Sequence, residues 1–336
     1  MLVTNRIYVA GGGPAGAAAA IAARLEGCPV TLFDRASTAR HKVCGEFISP
    51  FASEILAALD IWDEFAALGP RPIRRCVLHL GSRTRQWDLP ECAWGLSRLQ
   101  LDRLLLQKAV HLGAIVARGE TLDAARKSPP AGLIVASGRK PSVRRGDRLF
   151  GFKAHFEGAC DDAVELFFDE YGYAGVSGIE DGLTNVCGIA PESALRKYGF
   201  DFDEFLRRNR LLAERLSPLA RKMPWIAAGP LAFSTPSRRA GGERLYPAGD
   251  ALGFVDPYTG TGILNALLTG RLAGIAAARR APAAEYLADC RTLLGRPFLV
   301  SSVLRYLASH AGTHWLSRWI PGETLFQWTR ACRSAA

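Results

Sequence analysis

The chain has no CxxC pair and no His/Cys cluster at zinc spacing, which argues against a resident metal site. Its eight cysteines, Cys28, Cys44, Cys76, Cys92, Cys160, Cys187, Cys290 and Cys332, are scattered. Scattered thiols suit small buried positions in a reducing compartment, so a cytoplasmic location is expected. No uncharged apolar run reaches the roughly 20 residues that span a bilayer. The N-terminal apolar stretch is broken by glycines and has neither basic leader nor cleavage site, so it does not read as a signal peptide. No basic-aromatic motif stands out, and nucleic acid is not an expected partner. There is no internal repeat and no low-complexity segment.

What is present is an ordinary globular composition over 336 residues, 49% hydrophobic and 22% charged. That length suits one large domain or two closely joined ones. The net charge of +10 fits a solvated basic face, an anionic ligand, an acidic partner or an anionic membrane surface. Arg6 to Ala10 reads as a buried parallel strand and Ala17 to Leu25 as an alanine-rich helix. Between them, Gly11-x-Gly13-x-x-Gly16 has the spacing of a dinucleotide-binding turn, here with Pro14 and Ala15. Gly11 allows the tight turn, Gly13 lets the backbone approach a pyrophosphate, and Gly16 lets helix and strand pack closely. The helix start offers free N–H groups to phosphate. A second strand, Pro29 to Phe33, ends at Asp34, followed by Arg35. An acid there can accept hydrogen bonds from an adenosine ribose and disfavours a 2′-phosphate, so FAD or NAD is favoured over NADP.

Far along the chain, Leu245 to Asp250 reads as a short strand ending in Gly249-Asp250, and Thr261 to Ala278 as a helix opened by Gly260 and Gly262. The logic repeats: an acid at a strand end for a sugar-alcohol hydroxyl, and helix N–H groups for phosphate or an electron-rich ring edge. The full run is Gly249-Asp250-Ala251-Leu252-Gly253-Phe254-Val255-Asp256-Pro257-Tyr258-Thr259-Gly260-Thr261-Gly262-Ile263. It resembles the second flavin motif of the para-hydroxybenzoate hydroxylase and geranylgeranyl reductase superfamily. The resemblance implies an α/β fold, a Rossmann-like FAD-binding domain interleaved with a mixed-sheet substrate domain and a C-terminal helical tail. It also implies that Asp250 binds the ribityl or pyrophosphate part of FAD and that Gly262 and Ile263 lie near the flavin ring. Leu96 to Leu105 looks like the family's arginine-bearing helix start, so Arg98 would reach FAD. Gly113 to Val116 is similar to the strand leading toward the adenine, with Leu122 as a backbone contact.

The stretch His41-Lys42-Val43-Cys44-Gly45-Glu46-Phe47 matches the reductase branch, whose Cys-Gly pair lies beside the isoalloxazine. Cys44, Gly45 and Phe47 are therefore candidate flavin contacts. Cys44 is also a candidate catalytic thiol, and Glu46 a general acid, a cap or a salt-bridge partner. His79 and His155 read as strand residues. In place of the family's Asp-Gly-x-x-Ser stands Ser137-Gly138-Arg139-Lys140-Pro141-Ser142, a departure that speaks against a standard NADPH-driven hydroxylase cycle.

The expected FAD domain is 1–70 plus 94–149 plus 236–280. The substrate domain is 71–93 plus 150–235, and 281–336 is a helical segment. Asp201 to Ala220 and Pro297 to His310 each read as one amphipathic helix. Trp315, Trp319 and Trp328 belong either to a lid over the substrate domain or to a peripheral membrane contact. The leading expectation is an FAD-dependent, geranylgeranyl reductase-like oxidoreductase. Its substrate is a lipophilic isoprenoid or polyketide-type molecule, and NADPH or NADH docks transiently. An aromatic or quinone monooxygenase is the alternative, and a non-catalytic lipid escort a third, which intact Gly16, Asp34 and Asp250 oppose. Halogenase lysine and tryptophan signatures are not seen. Oligomeric state is not legible.

Overall fold

The computed structural model describes residues 6–81, 83–122, 132–139, 148–158, 160–237, 241–254 and 259–309. Two sheets organise them. The first is all parallel, in the spatial order Leu245–Pro247, Leu133–Val135, Ile7–Ala10, Val30–Asp34, Ile115–Arg118. Ile7, Val9, Val30 and Leu32 are fully or almost fully buried. Helices lie against this sheet, which is why its strands read as continuous apolar runs.

The helix Pro14–Leu25 follows the first strand directly, with its proline in the first turn, where no N–H is required. It packs along Gly262–Ala278, the helix of the second flavin-like segment. A Cβ at Gly270 would overlap the carbonyl oxygen of Ala15, and one at Gly274 that of Ala19. Alanines on one helix and glycines on the other thus bring the backbones into contact. Residues more than two hundred positions apart in sequence become neighbours at the mouth of one site.

The second sheet is mixed and nine-stranded. Its order is Ala220–Arg221, Leu149–Glu157, Leu183–Pro191, Gly172–Gly178, Ala163–Asp169, Arg71–Leu80, Arg83–Gly95 and Phe47–Ile48, with Ile226–Leu231 also on Leu149–Glu157. Alternation sorts its two faces. Phe152, Phe156, Phe167 and Val176 point to a core closed by Phe202, Phe205 and Trp225. Leu78, Val164, Leu166 and Phe168 point the other way, to a cavity. This is the expected fold class of a Rossmann-like unit interleaved with a mixed sheet.

Two expected helices differ. Asp201 to Ala220 divides into Phe202–Arg207 and Arg210–Leu216, because the Asn209 side chain caps a fresh helix by accepting from Leu212 N–H at 3.2 Å. Arg208, in the break, turns to Asp169. The last helix begins at Ala283, not Pro297, and runs to Ser309 with Pro297 inside it. Its first half buries Tyr286, Leu287, Cys290, Leu293 and Leu294, a packing gain that outweighs the proline. Trp315, Trp319 and Trp328 lie outside the described residues. Among the described residues no helix is long and apolar enough to cross a membrane.

Candidate functional site

A cavity of about 980 Å³ lies between the two sheets. All the candidate cofactor and catalytic residues named from the sequence line it except Gly16. Gly16 acts from behind: a Cβ there would overlap the Gly11 carbonyl oxygen, so it seats the helix on the glycine turn. Gly11 holds φ +114° with its α-carbon against the Ala136 carbonyl, a position no side chain could share.

The surfaces fit a dinucleotide. A Cβ on Gly262 would point into open space and one on Gly13 would meet only the Arg98 guanidinium at 3.8 Å, so both backbones are bare toward the cavity. Gly13 precedes the start of Pro14–Leu25, and Gly262 opens Gly262–Ala278, so both helix starts offer N–H groups there. Asp34 uses Oδ1 to accept from Ala36 N–H at 3.1 Å and lays its other carboxylate oxygen over Gly12. Gly12 was not singled out from sequence, yet a Cβ there would come within 2.6 Å of that oxygen. Gly249 N–H donates to Thr269 Oγ1 at 2.9 Å, fixing the turn that carries Asp250. Burial pushes the Asp250 carboxyl above its ordinary value, against the attraction of Arg98 and Arg139. Leu122 lies on the cavity wall beside Thr121. Of the altered Ser137–Ser142 stretch, Ser137, Gly138 and Arg139 line the cavity, with Arg139 above the Phe254 ring at 5.7 Å, and the rest lies outside the described residues.

Arg98 reaches the cavity but is not a free cation. Its Nε and Nη2 donate to the two oxygens of Asp102 at 2.8 and 3.0 Å, and Lys42 donates to the same carboxylate at 2.8 Å. Burial opposes the guanidinium charge, but Asp102 and then Cys44 hold its pKa above the ordinary value. Its Nη2 stands 3.8 Å from where a Gly13 Cβ would be, close to the expected phosphate path.

A second charged cluster lies on the other side of Cys44-Gly45. Glu46 is fully buried, and its backbone is left-handed at φ +54°. Its Oε1 accepts from the Arg98 backbone N–H at 2.6 Å and from Lys153 Nζ. Its Oε2 lies 2.7 Å from His155 Nε2. Lys153 and His155 are neighbours on one face of Leu149–Glu157, 0% and 3% exposed. Burial would raise the Glu46 pKa, but the His155 hydrogen bond and the Lys153 charge hold it below the ordinary range. Of the readings offered from sequence, the salt-bridge arrangement is the one the structure forms, with Lys153 and His155 on the carboxylate. Asn185 completes the clamp, donating to the carbonyls of Cys44 and Gly45 at 3.2 and 3.0 Å. His155, read from sequence as a strand residue, is one, and it also belongs to this cluster.

His41 stands edge-on to His155, with ring centroids 5.0 Å apart. Donor atoms of His41, Glu46 and His155 lie within 4.8 Å of one another, a spacing a metal could bridge. The Lys153 ammonium already sits on that carboxylate, and a cation there opposes a second one. Cys187 also lines the cavity, and burial pushes its thiol up to about 12, leaving it protonated.

No protein-family model matches the chain. A digeranylgeranylglycerophospholipid reductase of Methanopyrus kandleri is 27% identical over 313 residues, covering 81% of this chain and 76% of that protein. A flavin-dependent halogenase of Armillaria mellea is 31% identical over 158 residues, 44% of this chain and 30% of that one. The solved structure of a flavin-dependent brominase superposes at TM-score 0.77 with 17% identity, over 99% of this chain and 96% of that one. The reductase and halogenase relatives together support an FAD-dependent oxidoreductase of the geranylgeranyl reductase and para-hydroxybenzoate hydroxylase type. The chain is a flavoenzyme, and the cavity is lined by the residues expected from sequence to meet FAD. Within this flavoenzyme the glycine turn, Asp34, Asp250 and the Gly262 helix start are the residues that would hold FAD, which supplies two-electron redox chemistry when bound.

Proposed function

We propose that this flavoenzyme reduces a carbon–carbon double bond in a lipophilic, isoprenoid- or polyketide-type molecule, with NADPH or NADH as reductant. The observation that carries the reading is the apolar part of the cavity wall contributed by the nine-stranded sheet. Leu78, Leu80, Trp87, Leu89, Val164, Leu166 and Phe168 form an apolar face fit for a hydrocarbon chain. The reductase relative from Methanopyrus kandleri, matched over most of both chains, supports it. The chain's own residues would contribute position and dryness: the Asn185–Glu46 clamp fixes the Cys44-Gly45 turn, and the apolar face excludes water.

The halogenase relative favours a second reading, halogenation of an electron-rich substrate. Against it, Lys153 does not line the cavity and is bound to Glu46. A quinone or aromatic monooxygenase is a third. Incubating the FAD-loaded protein anaerobically with NADPH or NADH and a panel of polyprenyl and polyene acceptors separates the three. Reductase chemistry yields product gaining two hydrogens without oxygen. A strict requirement for oxygen, with oxygen or halide in the product, overturns it. A cytoplasmic place with peripheral membrane contact through the C-terminal segment accords with such a substrate.

A further inference from the structure

We propose that His41 is the proton-uptake site coupled to flavin reduction: when the cofactor gains two electrons, the His41 imidazole gains a proton from solvent. This rests on the superfamily reading, with the redox-active ring of FAD on the Cys44-Gly45 side of the cavity. It does not depend on which substrate is reduced. His41 lines the cavity three residues before Cys44. Its Nδ1 is buried with no hydrogen-bond partner among the described residues, so no bond holds a proton on or off that nitrogen.

The groups facing His41 bias it toward neutrality. Lys153 and His155 face it from Leu149–Glu157, Arg103 from the helix Arg98–His111, and Glu46 from its own segment. Lys42, adjacent in sequence, is held by Asp102. Burial first, then Lys153 and His155, lower the His41 pKa below the ordinary imidazole value, and Glu46 only partly offsets them. The ring is thus neutral at neutral pH while the cofactor is oxidised. A negative charge arriving on the cavity side reverses the balance, because an opposite charge nearby favours the protonated ring. The electron count closes. A nicotinamide hydride delivers two electrons and one proton to the flavin, leaving it anionic, and the second proton goes to His41. The Glu46–Lys153–His155 cluster keeps its place throughout and holds the ring in position.

The test is potentiometric and needs no substrate. The FAD-loaded full chain and its His41→Asn and His41→Gln variants are titrated with dithionite and mediator dyes from about pH 6 to about pH 8. Two electrons with one proton move the midpoint potential by about 30 mV per pH unit, and a second coupled proton doubles this to about 60 mV. The wild type is expected to show the steeper slope in the window between the two His41 pKa values, and the two substituted proteins the shallower one. A pH indicator, corrected for the protons that dithionite releases on oxidation in a flavin-only blank, should record two protons taken up per flavin by the wild type and a single proton by either substituted protein. A wild-type slope of about 30 mV throughout overturns the proposal, with no substitution needed. So does a steep slope that survives both substitutions. Protein that stays colourless and refuses FAD instead overturns the cofactor reading beneath it.

Discussion

Gly270→Ala sets two known effects against each other with opposite signs. In a helix interior, alanine in place of glycine normally stabilises by about 0.5–1 kcal/mol through the unfolded chain and helix propensity. Gly270 is 9 residues into Gly262–Ala278 and buried, so propensity alone predicts a more stable protein. The contact predicts the reverse. Its Cβ would overlap the Ala15 carbonyl oxygen and lie 2.9 Å from the Ala15 carbonyl carbon and Cα, all backbone atoms of the facing helix. No side chain can swing away, so one helix must shift. Overpacking of this kind costs about 1–3 kcal/mol, and the net expectation is a loss of roughly 1–2 kcal/mol. Ala15 lies in the first turn of the helix that faces the cavity, so the shift also displaces the phosphate-facing N–H groups. The variant should therefore melt lower than the parent without cofactor and also bind FAD more weakly, measured by thermal unfolding and by quenching of flavin fluorescence. An unchanged or higher melting temperature with unaltered FAD affinity would falsify the claim that the two helices touch backbone to backbone.

Two further substitutions probe the charged groups. Glu46→Gln leaves Lys153 buried without its counter-charge, a change worth about 3–5 kcal/mol, read as a large drop in urea midpoint. Because the folded Glu46 pKa is lowered, its contribution is present above the ordinary glutamate range and is lost as pH falls through the folded value. The acid limb of the parent's stability profile should accordingly flatten in Glu46→Gln, and an identical acid limb would refute the anionic assignment. Asp250→Asn should move stability and binding apart. Its folded pKa is raised, so the charged carboxylate works against the cofactor-free fold above the ordinary aspartate range, and the amide should raise that melting temperature. Losing a charged acceptor for a sugar hydroxyl should weaken FAD about 10- to 100-fold by equilibrium titration. Stability and affinity falling together would sink this account.

That the two glycine-rich segments would meet at one cavity was legible because each segment's requirements are local. Gly11, Gly13 and Gly16 serve one turn within six residues, and Gly249 to Ile263 another, so spacing alone carries the signal. The fold class follows from the same runs, since strand, glycine turn and alanine helix in succession leave few alternatives. Gly12 shows where that legibility stops. Nothing in its neighbours requires glycine, and the need comes from Asp34 arriving across the sheet. The helix limits failed for a comparable reason. Periodicity carries through Asn209, whose capping bond is made by a side chain, and through Pro297, which the packing of the preceding turns tolerates.

The Glu46 cluster was illegible for a deeper reason, and it also explains why Cys44-Gly45 is held where it is. Lys153 and His155 alternate with apolar residues along Leu149–Glu157, so the strand reads as one face of a sheet and no more. Their partner lies more than a hundred positions away, and only the register of the nine-stranded sheet turns both toward it. Glu46 meets them with a left-handed backbone, a conformation that costs free energy for a side chain of its size. What compensates is the set of bonds to its carboxylate. Because one oxygen also takes the N–H of Arg98, the same carboxylate ties the start of the Arg98 helix to a strand of the substrate-side sheet. The turn bearing Cys44 is the chain segment between those attachments and the Asn185 clamp. A shift of either unit relative to the other must therefore move that turn, or break a buried charge pair first.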